Sequence, residues 1–105
     1  MSDDHEVQKL LREALAGMPV TIESGLSDPK ASATSRLNWA KLAMRLLQDP
    51  IGRPVTDVDI ENKRKAVQML KAAVPALEKI RNEHRSARLR STAAQYLLFI
   101  ANKVA

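Results

Sequence analysis

The chain of 105 residues contains no cysteine, which excludes disulfides, zinc–thiolate centres and thiol nucleophiles together and leaves apolar packing as the source of stability. Glycine and proline are scarce, at three and five residues, so few positions are free to turn. Trp39, Tyr96 and Phe99 are the only aromatic residues, and all three fall on apolar helical faces. That gives no platform on which single-stranded bases would stack. The longest apolar stretch, residues 93–101, is interrupted by Gln95 and is far shorter than the roughly 20 residues that cross a bilayer, so no membrane span is expected. The sequence also lacks a glycine-rich phosphate loop, a nucleophile elbow and any His/Asp/Glu spacing suited to a metal. His5 and His84 are its only imidazoles. A non-enzymatic protein without cofactor or metal is therefore expected. The opening Met1-Ser2-Asp3-Asp4-His5-Glu6 is acidic and has no apolar signal run, so the expected location is intracellular, in the cytoplasm, and not secreted.

What is present is helical periodicity in a chain with room for one domain, residues 1–105. Val7, Leu10, Leu11, Ala14 and Leu15 share a face behind Asp3 or Asp4 as N-cap and before Gly17 as terminator, which predicts a helix over 4–16. Residues 18–26, with Pro19 and Gly25, read as a short helical turn. Asp28-Pro29 pairs a capping side chain with a proline at the first helical position and predicts a helix over 29–48. Asp49-Pro50-Ile51-Gly52-Arg53-Pro54 is the clearest loop. In Thr56-Asp57-Val58-Asp59 a hydroxyl precedes a carboxylate by three residues, a capping-box variant that starts a helix over 57–73. Pro75 is expected to kink or break it near Ala73. No glycine or proline follows Pro75. Leu77, Ile80, His84, Ala87, Ser91, Ala94, Leu98 and Ala101 alternate at three and four residues, close to a heptad seam. They predict one helix over 76–103, about 40 Å long against the roughly 26 Å diameter of a compact domain of this size. The expected architecture is thus an all-α bundle of about four helices whose long C-terminal helix associates in a homodimer. Residues 93–105 are the expected dimerisation segment, with Tyr96, Leu97, Leu98, Phe99, Ile100 and Ala101 at the interface. Burial of the same residues within a monomeric bundle is the competing solution.

The formal charge of +5 is unevenly placed. Residues 1–52 hold six basic and seven acidic side chains, whereas residues 53–105 hold eleven and five, a net +6. Helical spacing predicts ion pairs of Asp59 with Lys63, Glu61 with Arg64 and Lys65, Glu78 with Arg81, and Lys79 with Glu83. Lys71, Arg85, Arg88 and Arg90 have no such local partner, and on a continuous helix Arg81, Arg85 and Arg88 stack on one stripe. An external polyanion would relieve that repulsion. The expectation is a protein that contacts the phosphate backbone of duplex RNA or DNA through a basic helical face within residues 63–90, with Lys71, Lys79, Arg81, Arg85, Arg88 and Arg90 as contacts. The competing expectation is a helical adaptor or assembly module that binds another protein through its apolar C-terminal helix. A solvated basic face, or pairing with acids elsewhere in the fold, accounts for the same charges without a ligand.

Overall fold

A computed structural model describes the chain from Ser2 to Val104, with side chains from His5 onward. Four helices, α1 (Ser2–Ser27), α2 (Ala33–Arg45), α3 (Asp57–Glu83) and α4 (Ala87–Lys103), account for the fold, and no strand occurs among the described residues. The all-α bundle expected from periodicity is what the chain forms. Leu15 of α1 lies beside Asn62 near the start of α3, while Ala31 and Ala33 at the start of α2 lie beside Ile80 and His84 at the end of α3. The helices therefore run up, down, up and down. α2 and α3 pack together, with α1 and α4 on different sides of the pair; among the described residues α1 and α4 do not touch. The core is built from Ile22 of α1, Leu37, Ala40 and Ala43 of α2, Ala66, Leu70, Ala73, Leu77 and Ile80 of α3, and Ala93 and Ile100 of α4. Small residues on the facing sides let the helix axes approach closely.

Helix starts follow side-chain chemistry. The Thr56 hydroxyl accepts from the Asp59 amide at 3.3 Å, and the Asp59 carboxylate accepts from the Thr56 amide at 2.8 Å, so both halves of the capping box are present. The same carboxylate takes both prongs of the Arg53 guanidinium at 2.8 Å, which ties the loop to α3. Asp59 thus pairs with Arg53 and not with Lys63, which bonds instead to Asp49 across the loop. First the Arg53 guanidinium, then the Thr56 amide and hydroxyl, hold the Asp59 carboxyl well below its ordinary value of 3.8. A depressed native pKa adds stability that is fully present above the unfolded value and is lost as pH falls through the native one. Chemical denaturation from pH 6 down should therefore show stability falling from about pH 4 downward. Asp59→Asn should flatten part of that slope while lowering stability at neutral pH; an unchanged slope would show that other carboxylates carry it.

Several helix boundaries differ from the expectation, among them the end of α2, which falls at Arg45 and not at Gln48. α1 begins at Ser2, so Asp3 and Asp4 lie inside it, and it runs through Gly17 and Pro19 to Ser27. Asp28-Pro29 does not open α2. The Asp28 carboxylate accepts from the Lys30 amide at 2.9 Å and its carbonyl from the Ala31 amide at 3.1 Å, a turn that delivers Ser32 as the real N-cap. Pro75 neither breaks nor ends α3: its own side is exposed, and Ala73, Leu77 and Ile80 on the other side are held in the core. The break falls instead at His84-Arg85-Ser86, which divides the single helix expected over 76–103 into the end of α3 and all of α4. The seam explains why. Its ends are apolar and its middle carries His84, Ala87 and Ser91, so doubling back lays Leu97 and Ile100 on the α2–α3 core, whereas a straight helix would leave them in water.

Candidate functional site

The α3–α4 joint is fixed by hydrogen bonds that need no glycine. His84 ends α3 as its C-cap, and its Nδ1 accepts from the Ser86 amide at 3.0 Å. The Ser86 hydroxyl caps α4 by accepting from the Leu89 amide at 3.3 Å. Arg90 reaches back to donate to the His84 carbonyl at 2.6 Å. His84, read from sequence as a seam residue, and Arg90, read as an unpartnered cation, are therefore both used in building the turn, and each is half-buried.

Around this turn Arg81, Arg85 and Arg88 are exposed, and none forms an ion pair among the described residues. Arg81 donates only to the Asn82 side chain, at 3.0 Å. The stripe expected at four- and three-residue spacing does not form, because the three arginines now belong to the last turn of α3, the joint and the first turn of α4. They form a cluster around one end of the bundle. Lys79 is exposed on the far side of α3 from Arg81, two residues and about 200° away, and lines a cleft with Arg36, Ala31, Glu83 and His84 against the α1–α2 turn. Lys71 is exposed more than two turns before the end of α3, so the six expected contact residues are not brought to one surface. Of the local ion pairs expected within α3, Glu61–Arg64 forms. It holds the Glu61 carboxyl below its ordinary value, through the Arg64 hydrogen bond first. Glu61–Lys65, Glu78–Arg81 and Lys79–Glu83 do not appear among the ion pairs of the described residues.

The backbone places the free first-turn amides of two helices at the same end. α2 and α4 both begin there, and neither carries an acidic residue in its first turn. α3, which starts at the opposite end, has Asp57 and Asp59 in its first turn. The first-turn amides of α2 and α4 thus face the same end as the arginine cluster, where the C-termini of α1 and α3 also lie, so the dipoles of the four helices offset one another there. Sequence reading missed this contribution, although its signal is present: Ser32 and Ser86 are the caps, and neither is followed by a carboxylate within four residues.

The segment expected to form a dimer interface is mostly spent on the chain's own core. Ile100 is buried, and Tyr96, Leu97 and Phe99 are half-buried and packed against the core cluster; only Leu98 and Ala101 are exposed. An uncovered apolar face lies on the first half of α1, where Val7, Leu10 and Leu11 are 62%, 66% and 41% exposed. Helical periodicity marks these three for burial, but the neighbouring segment 53–57 forms only an open cleft beside Leu11 and leaves Val7 and Leu10 exposed. No group of three or more His, Asp or Glu side chains is placed to hold a metal among the described residues, and no described helix is long and apolar enough to cross a membrane. No protein-family model, curated protein or solved structure matches the chain.

Proposed function

We propose that the chain is a non-enzymatic nucleic-acid-binding protein that contacts the phosphate backbone of a duplex through the basic end of the bundle. The observation that carries this reading is the cluster of three exposed, unpaired arginines, Arg81, Arg85 and Arg88, around the start of α4, whose first turn has no acidic residue. Arginine geometry suits phosphate oxygens, and the adjacent helix amides favour the same charge. The half-burial of Trp39, Tyr96 and Phe99 in the core supports a duplex over a stacked single strand. Lys79 and Arg36 extend the positive surface on the side of the α1–α2 turn, and Lys71 lies outside it.

Three phosphate contacts imply a logarithmic salt slope of about −2.7, so affinity for duplex RNA or DNA should fall roughly 40-fold between 50 and 200 mM salt. Arg85→Glu with Arg88→Glu, both exposed positions, should leave the helical signal unchanged, weaken binding at least tenfold and bring the slope to about −1 or less. Binding that is unchanged by the double substitution, or insensitive to salt, overturns the reading. A second reading, a helical protein-binding module, is favoured by the uncovered Val7, Leu10 and Leu11. In that case the same double substitution leaves partner binding intact.

A further inference from the structure

The joint between α3 and α4 breaks a helix without any residue that requires a break. Its three residues are His84, Arg85 and Ser86, and the only positive φ among the described residues is at Gly52, in a different loop. His84 has φ −69° and ψ 137°, and Ser86 has φ −78° and ψ 117°. Both φ angles already lie near the helical value of about −63°, so at these two residues only ψ must rotate for α3 and α4 to run on as one helix. The seam from Leu77 to Ala101 already has the required spacing.

An opened α4 cannot stay in water, because Ala93 and Ile100 are buried and Leu89, Tyr96, Leu97 and Phe99 pack on the core. Among the described residues the helices it packs on are α3 and α2, and it makes no contact with α1. A second copy of the chain therefore offers an identical seat that can be filled without disturbing α1. We propose that two copies of this chain exchange α4, with residues 57–103 of each forming one continuous helix about 70 Å long. The exchanged dimer remakes every α4 contact across the two chains. It gives up three features of the hairpin, namely the Ser86 cap, the His84 Nδ1 contact and the Arg90 bond to the His84 carbonyl, and gains helical hydrogen bonds across the joint. Arg81, Arg85 and Arg88 then fall on one stripe, and their mutual repulsion opposes the exchange at low salt. The inference does not depend on the nucleic-acid reading.

Two substitutions act on the joint in opposite directions. Ala87 is the first residue of α4 and follows Ser86 in extended backbone, so proline fits there in the hairpin, where the first helical amide needs no intrahelical partner. In the continuous helix the same proline is interior and should disfavour the exchanged dimer by more than about 100-fold. Ser86→Ala removes a cap that only the hairpin uses and should favour the dimer about tenfold, counting both chains. The experiment is refolding from denaturant at about 10 µM and about 1 mM, followed by light scattering after dilution, since release of an exchanged helix requires unfolding and is slow. The expected result is a species of twice 11.6 kDa from concentrated refolding. It should be enriched in Ser86→Ala and absent in Ala87→Pro, with the helical signal of the latter unchanged. The proposal is overturned if neither the natural chain nor Ser86→Ala forms a dimer at the higher concentration. It is equally overturned if Ala87→Pro dimerises as well as the natural chain, which would mark a surface contact.

Discussion

Replacing Asn62 by leucine is expected to destabilise the fold by about 2 kcal/mol, lowering the thermal midpoint by roughly 10 °C, although leucine is the more apolar residue at a buried site. The reason lies in α1. Pro19 sits inside that helix and is itself fully buried, and its ring nitrogen has no hydrogen to give to the Leu15 carbonyl four residues earlier. Asn62 of α3, 3% exposed, donates its side-chain amide to that carbonyl at 2.7 Å. The helix therefore passes through its proline with the missing bond supplied from a residue 47 positions away. Leucine would leave the carbonyl desolvated and unpaired, a penalty of roughly 1–3 kcal/mol. A double-mutant cycle isolates the mechanism. In a Pro19→Ala background the new backbone amide serves Leu15, so Asn62→Leu should cost less than about 0.5 kcal/mol there. Equal costs in both backgrounds would assign Asn62 to packing alone.

The same pair shows where sequence reading stops. Gly17 reads as the end of the first helix and Pro19 as part of a short helical turn after it, and no local pattern announces that Asn62 will replace the bond that Pro19 removes. Pro75 reads as a kink or break, yet the carbonyl it orphans belongs to Lys71, an exposed residue on a side where water serves it. Features contained within a few residues were legible. Thr56 and Asp59 cap α3 as their spacing indicates, and residues 49–54 form the loop that their prolines and glycine require. Boundaries set by tertiary packing were not legible. The break at His84-Arg85-Ser86 is placed by the gain from laying Leu97 and Ile100 on the core, a gain invisible to periodicity because a continuous helix satisfies the same pattern. For the candidate site, the absence of acidic partners near Arg85 and Arg88 was readable from spacing. The shape in which they are presented depends on that break and was not.

Gly25→Ala is expected to destabilise the protein by up to about 2 kcal/mol, even though alanine is the better helix former by about 1 kcal/mol. Gly25 lies in the last part of α1 without a positive φ, so its role is to leave space and not to permit a turn. The Trp39 indole of α2 lies directly on its backbone: a Cβ added at Gly25 would stand 2.3 Å from Trp39 Nε1 and Cε2 and 2.5 Å from Cδ1. Such distances require the whole ring to move, and the ring packs against the core cluster. Overpacking of this kind costs about 1–3 kcal/mol, and with the propensity gain it should dominate for a ring that cannot swing clear. Trp39 is the only tryptophan, so its fluorescence reports the displacement directly. Emission should shift and denaturation midpoints fall together in Gly25→Ala. In a Trp39→Leu background the crowding disappears while the propensity gain remains, so Gly25→Ala should become neutral or stabilising by up to about 1 kcal/mol. A cost that persists without the indole would place the constraint in the helix backbone and not in the α1–α2 contact. A cost that reverses sign identifies this glycine as the point that sets how closely α1 approaches α2.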